Sequence, residues 1–140
     1  MKQEFPASGR CLCGAVRLTA KAAPFRMAQC HCRDCQRISG TGHTTNALFN
    51  EADVEISGET KGFAVTADSG STLTRYFCPV CGSRMFGRNS ARGGAVIVPA
   101  GIFDDSDWFQ PQIALYAKRR AAWDPTRADI PNFEAMPPPK

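Results

Sequence analysis

The sequence predicts a mainly β fold with little helix, and three observations carry that prediction. Short runs of alternating apolar and polar residues recur along the chain, each bounded by turn-forming residues. Helical periodicity is weak nearly everywhere. Three tight cysteine clusters stand where metal ions would staple a small β domain together.

Taken in order, Ala15-Val16-Arg17-Leu18-Thr19-Ala20 alternates well, with Val16 and Leu18 on one face. The threonine-rich run from His43 to Phe49 ends in Ala47-Leu48-Phe49, and Val54-Glu55-Ile56 is a short strand. Phe63-Ala64-Val65 and Leu73-Thr74-Arg75-Tyr76-Phe77 flank Asp68-Ser69-Gly70-Ser71, which reads as a hairpin turn. Ala95-Val96-Ile97-Val98 and Ile113-Ala114-Leu115-Tyr116 complete the strands. One short helical turn is expected from Asp104-Asp105-Ser106-Asp107-Trp108. No internal repeat and no Gly/Ser linker divides the chain. A single zinc-binding domain is therefore expected over residues 1–136, followed by an extended proline-rich tail at 137–140, with Phe133 packing just upstream of it.

The length of 140 residues suffices to bury a core, and 43% hydrophobic with 21% charged residues is ordinary for a globular chain. Met1-Lys2-Gln3-Glu4-Phe5-Pro6 places an acid and a proline where a secretory leader needs an apolar run. No stretch approaches the roughly 20 apolar residues of a membrane span. A soluble, cytoplasmic protein with no membrane partner is the expectation.

Seven cysteines cannot close into intramolecular disulfides without a remainder. Their spacing points instead to metal. Cys11-Leu12-Cys13, Cys30-His31-Cys32-Arg33-Asp34-Cys35 and Cys78-Pro79-Val80-Cys81 each let thiolates from one tight turn converge on a single ion, with Zn–S near about 2.3 Å. The formal charge of +4 counts these cysteines as neutral. Seven thiolates and two divalent zinc ions bring the loaded protein to about +1. No basic surface for counterion release is apparent from that balance, and a nucleic-acid partner is not expected. Arg10, Arg33, Arg37, Arg75 and Arg84 do lie beside the cysteine motifs, where they either offset thiolate charge or hold an anionic substrate.

Cys11, Cys13, Cys78 and Cys81 suit a closed tetrahedral site. Gly14 and Gly82 follow the two pairs and permit the positive φ of a metal-binding turn, and Pro79 stiffens the second loop. A four-thiolate zinc carries a net charge of −2 and no open position, so its task is to staple distant parts of the chain. Cys30, Cys32 and Cys35 supply three thiolates, and three protein ligands with a vacant fourth position is the pattern of catalytic zinc. Three thiolates weaken the pull of the metal on a bound water, whereas a soft substrate thiolate is a natural fourth ligand. The set therefore favours thiol chemistry over hydrolysis. His31, Asp34 or His43 could instead close the site; His31 sits between two cysteines that turn the same way, so its side chain is expected to point elsewhere. His43 could also serve as an acid–base group near the open position, or simply pack.

Three segments carry a resemblance to a known family: Gly9-Arg10-Cys11-Leu12-Cys13-Gly14-Ala15-Val16, Cys30-His31-Cys32-Arg33-Asp34-Cys35-Gln36-Arg37-Ile38-Ser39-Gly40, and Arg75-Tyr76-Phe77-Cys78-Pro79-Val80-Cys81-Gly82-Ser83. They resemble the glutathione-dependent formaldehyde-activating enzyme family, also called the centromere protein V family. Ala100-Gly101-Ile102-Phe103-Asp104-Asp105 and Ile130-Pro131-Asn132-Phe133-Glu134 resemble its C-terminal pattern. The resemblance implies a mainly β domain of several small, coiled antiparallel β-sheets stapled by zinc. It implies two zinc ions per chain, with Cys11, Cys13, Cys78 and Cys81 structural and Cys30, Cys32 and Cys35 around an open, reactive metal. It also implies a carbon–sulfur lyase-type activity, the combination of glutathione and formaldehyde to S-(hydroxymethyl)glutathione, with a small-molecule thiol such as glutathione as partner. No catalytic residue beyond the open zinc site, and no glutathione-binding residue, follows from the motif match. The alternative reading is a non-catalytic, zinc-stabilised binding module for a protein or nucleic-acid partner. A sensor that loses metal when its three-cysteine site is oxidised is a third.

Overall fold

The computed structural model describes residues 5–137, so Pro138, Pro139 and Lys140 of the expected tail lie outside the described residues. In chain order the elements are β1 (Ala7–Arg10), β2 (Arg17–Ala20), β3 (Arg26–Cys30), α1 (Arg33–Ser39), β4 (Thr44–Asn50), β5 (Val54–Ser57), β6 (Lys61–Thr66), β7 (Thr72–Phe77), β8 (Arg84–Asn89), β9 (Ala95–Pro99) and β10 (Ile113–Leu115). Short 3-10 turns occupy Glu51–Asp53, Ala100–Ile102 and Ala117–Arg119. The fold is mainly β with little helix, as the alternating runs predict. No helix among the described residues is long and apolar enough to cross a membrane.

Two compact units make up the chain. The first joins the residues up to Phe25 with Ala47–Trp108, and the second joins Arg26–Asn46 with the chain from Phe109 onward. In the first unit β1, β2 and β5 form an antiparallel sheet, with Gly9 opposite Leu18 and Leu18 opposite Ile56. The alternation that marks Val16 and Leu18 in the sequence is realised as burial: both are almost wholly inaccessible, as is Ala20. The other strands of this unit, counting β4 from Ala47 onward, run in the order β4, β9, β8, β7, β6. The turn read at Asp68–Ser71 is the β6–β7 hairpin, closed by Ala67 N–H donating to the Ser71 carbonyl at 2.8 Å. Phe49, Met85, Val96 and Val98 are fully buried in this unit. Phe103 packs edge-on against Trp108 at 5.1 Å between ring centroids and lies 5.9 Å from Phe49, an arrangement aromatic quadrupoles favour.

Two consequences of this topology matter for the site. The β1–β2 connection is Cys11–Val16, and the β7–β8 connection is Cys78–Ser83. Each distant cysteine pair therefore sits in the turn of an antiparallel hairpin. A register shift between Tyr76 and Phe77 bends β7 just before it delivers Cys78.

In the second unit β10 pairs with β3 in parallel, Leu115 opposite Cys30. A parallel pair needs a long crossover, and here the chain between the two strands supplies one. The C-terminal segment lies along β10: Ala114 N–H donates to the Pro131 carbonyl at 3.0 Å, and Phe133 N–H to the Ala114 carbonyl at 2.9 Å. Phe133 is half-buried there.

The helical turn expected from Asp104 to Trp108 does not form. The Asp105 carboxylate instead accepts the Asp107 N–H at 2.9 Å, a side-chain-to-backbone bond that competes with helix, and the Trp108 indole N–H is tied to the Asp105 carbonyl at 2.8 Å. The α-helix that does form, α1, starts inside the second cysteine cluster. Cys32 caps it, its sulfur accepting from Cys35 N–H at 3.3 Å, and Gly40 stops it in the left-handed region.

Candidate metal centres

In the first unit the Sγ atoms of Cys11, Cys13, Cys78 and Cys81 all lie within 4.8 Å of one another. Cys11 and Cys13 are 3.6 Å apart and Cys13 and Cys78 are 3.8 Å apart. A tetrahedron with arms of about 2.3 Å has edges of about 3.8 Å, so these two pairs already stand at the separation that one zinc ion demands. The two turns are built alike. Gly14 N–H donates to the Cys11 carbonyl at 3.1 Å and Gly82 N–H to the Cys78 carbonyl at 2.8 Å. Both glycines carry positive φ, 84° and 80°, as their place after each pair requires. Backbone N–H groups also point at sulfur, Val16 to Cys11 at 3.2 Å and Val80 to Cys78 at 3.4 Å. At Cys11, where burial opposes it, the Val16 bond helps bring the thiol below its ordinary value. The Ser83 hydroxyl is the main cause that brings the Cys81 thiol down to about 5. The Ser83 hydroxyl also accepts the Leu12 N–H at 2.9 Å, which ties one turn to the other. Arg10 closes the first turn, donating to the carbonyls of Cys11 and Leu12.

In the second unit Cys30, Cys32 and Cys35 bring their sulfurs within 4.8 Å of one another. Cys30 ends β3, Cys32 is the helix cap and Cys35 lies in the first turn of α1, so the strand-to-helix junction itself gathers them. Cys30 and Cys32 are half-buried and Cys35 is buried. The neighbouring thiols of Cys32 and Cys35, with burial, push the Cys30 thiol far up. Cys32 is also raised, because the Cys35 thiol and burial outweigh the lowering contact with Cys30. Three crowded thiolates repel one another unless a cation or protons stand among them, and that is the electrostatic condition a metal ion meets.

Gln36 fixes this junction. Its amide donates to the His31 carbonyl at 2.8 Å and to the Arg119 carbonyl at 2.9 Å, and Arg33 donates to its side-chain oxygen. Gln36 is buried, so Gln36→Leu would leave two carbonyls without these donors. The expected cost is about 2–3 kcal/mol of unfolding free energy, to be measured by urea denaturation. A change within about 0.5 kcal/mol of wild type would show that the amide is not structural.

The histidines and Asp34 do not join the three sulfurs. His31 and His43 are gathered instead with Asp124, their ligand atoms again within 4.8 Å of one another. His43 Nδ1 is 2.6 Å from the Asp124 carboxylate, and His31 Nδ1 is 3.5 Å from the same oxygen. The His31 and His43 rings lie 4.9 Å apart. Burial lowers the pKa of His31, with the Asp124 charge opposing. Extended backbone sends successive side chains to opposite sides, which is why His31 leaves the sulfur side between Cys30 and Cys32. Asp124 was invisible to the sequence reading: it lies 81 positions beyond His43, and no local spacing joins them. The only hint is that one histidine of the chain lies within a cysteine cluster and the other eight positions after it.

Compared with known proteins, the chain matches a family model described as glutathione-dependent formaldehyde-activating enzyme over residues 6–119. A Penicillium rubens protein, provisionally named a glutathione-dependent formaldehyde-activating enzyme, is 26% identical over 110 residues; the alignment covers 75% of this chain and 57% of that protein's length. The crystal structure of a Rhodobacter sphaeroides protein is similar with a TM-score of 0.56 at 18% identity, covering 69% of this chain and 87% of the other, and it speaks for the fold alone. The match spans both sulfur clusters, from β1 to the 3-10 turn at Ala117–Arg119, and on that ground the chain belongs to the glutathione-dependent formaldehyde-activating enzyme family.

Proposed function

We propose that the chain is a zinc-dependent carbon–sulfur lyase-type enzyme that adds a small thiol, glutathione in the first instance, to formaldehyde. Two zinc ions per chain are assigned, one held by Cys11, Cys13, Cys78 and Cys81 as a structural staple, the other by Cys30, Cys32 and Cys35 as the reactive centre. One observation carries the reading. Three thiols are gathered at a half-buried junction while the two histidines that could complete their set are engaged with Asp124. A three-sulfur set leaves room for a fourth ligand from outside. The family to which the chain belongs, and the name of its Penicillium relative, support a thiol and formaldehyde as that chemistry.

Zinc bound by the three cysteines supplies a Lewis-acid position that favours the thiolate form of an arriving thiol. The protein's own part is positional. Gln36 and the Leu115 carbonyl, which accepts the His31 N–H at 2.9 Å, hold the three-cysteine segment rigid, so that two small reactants meet in one orientation. In the reaction the sulfur lone pair forms a bond to the formaldehyde carbon and the carbonyl π pair moves to oxygen. The proton lost from sulfur is matched by one gained at that oxygen, and nothing is oxidised or reduced.

Cobalt in place of zinc makes the assignment visible. Titrating glutathione into the cobalt-loaded protein is expected to change the visible absorption of the three-cysteine site, and the change should vanish in Cys32→Ser. A spectrum unmoved by millimolar thiol would remove the thiol from the fourth position and with it this reading.

A further inference from the structure

We infer that His31, His43 and Asp124 form a third metal site, made of nitrogen and oxygen donors only, for a divalent first-row transition ion such as zinc. The argument starts from His31. Its side chain is wholly inaccessible to solvent, and among the described residues neither ring nitrogen makes a well-formed hydrogen bond, the Gly42 backbone and the Asp124 carboxylate being its polar neighbours. A buried imidazole whose nitrogens are so weakly satisfied is costly, and such a group in a native fold calls for a ligand or a chemical role. Its Nδ1 faces the Asp124 carboxylate at 3.5 Å, close to the edge of a tetrahedron with Zn–N and Zn–O arms of about 2.0–2.2 Å.

His43 approaches the same carboxylate oxygen from the other side. At 2.6 Å its Nδ1 and Asp124 Oδ2 share a hydrogen bond, so the two atoms already face one another and must part by up to about 1 Å to ligate one ion. Ion binding would displace the proton from Nδ1, to Nε2 or to solvent, and leave two imidazoles and one carboxylate as three protein ligands, with further positions for water. The nearby Arg120 charge opposes the ion and Asp124 offsets it.

The backbone is shaped to the carboxylate. A Cβ on Gly42 would fall 2.1 Å from Asp124 Oδ2 and 2.6 Å from Asp124 Cβ, so the Asp124 side chain occupies the space that any other residue at 42 would fill. His43 follows directly in the chain. The site is thus assembled from the β3–α1 junction, the segment entering β4 and a C-terminal loop. It is separate in ligands from both cysteine clusters, and it goes beyond the function proposed above, which uses neither histidine.

Metal counting by equilibrium dialysis of the full-length chain against zinc tests the inference, with wild type compared with His43→Ala and Gly42→Ala. His43 is partly exposed, so its truncation should leave the fold intact, and Gly42→Ala evicts Asp124 without deleting a ligand. The expected result is that each variant binds one zinc fewer per chain than wild type. Cobalt gives the second readout. The equivalent missing from the variants should add visible d–d absorption with no thiolate-to-cobalt band in the near ultraviolet, while the thiolate bands of the cysteine sites stay at wild-type intensity. Equal metal content in wild type and His43→Ala would overturn the inference, as would a lost equivalent that takes thiolate absorption with it. Because only the difference between chains is read, the result does not depend on how many of the cysteine sites are filled.

Discussion

Cys78→Ser is expected to abolish the cooperative thermal unfolding of the protein and to remove zinc from the four-cysteine site. Cys78 is fully buried, and its sulfur stands 3.8 Å from Cys13 across the gap between the two hairpin turns. The assigned zinc would join residues 11 and 78, so its binding energy is folding energy for everything between them. Structural zinc in small peptides contributes about 10–16 kcal/mol of apparent binding free energy. A domain of this size has a net stability of about 5–15 kcal/mol. Serine is a poor zinc ligand, and its hydroxyl would be left in a site shaped for a thiolate. Even a partial loss of the zinc contribution therefore exceeds the margin. Circular dichroism on heating, with zinc counted in the same samples, reads both effects. A Cys78→Ser protein that melts as wild type does would mean that the four sulfurs hold no structural ion.

The strands and the sulfur clusters were legible in the sequence for different reasons. Val16, Leu18 and Ala20 announce β2 because one face of that strand is buried, and burial of one face is what alternation records. The β6–β7 hairpin announces itself through Gly70, whose φ of 90° needs a glycine. The cysteine pairs are legible because ligands supplied from one turn must be near in sequence. β1, β3 and β8 were not legible; β1 buries only Ala7 and Gly9, too small to mark an apolar face. Met27 and Ala28 are buried as neighbours, as are Met85 and Phe86, and a strand covered on both faces leaves no alternation to read. Nor was α1, whose seven residues are too few to show a period and whose cap is a cysteine, a residue type that sequence rules do not count among caps. Asp124 lay beyond reach altogether, because its partnership with His43 exists only once the C-terminal segment has folded back.

Cys32→Ser is expected to do the opposite of Cys78→Ser: it should keep the fold and lose the reaction. Cys32 has two tasks, as one of three gathered sulfurs and as the cap of α1, where it accepts the Cys35 N–H at 3.3 Å. A serine hydroxyl performs the second task at least as well, since serine is among the preferred capping residues. It performs the first poorly. Gln36 still holds the junction through the His31 and Arg119 carbonyls, so the segment stays in place without its ion. Metal content should fall by one zinc per chain with the melting curve little changed. The Lewis-acid contribution is several kcal/mol, and the loss of about 3 kcal/mol corresponds to a rate roughly 100-fold lower. Formaldehyde and thiols also combine without help, so the rate must be taken by exchange spectroscopy as the excess over the uncatalysed reaction. A folded Cys32→Ser protein that retains the wild-type excess would place the chemistry elsewhere. One that unfolds as Cys78→Ser is expected to do would show that both sulfur clusters are staples.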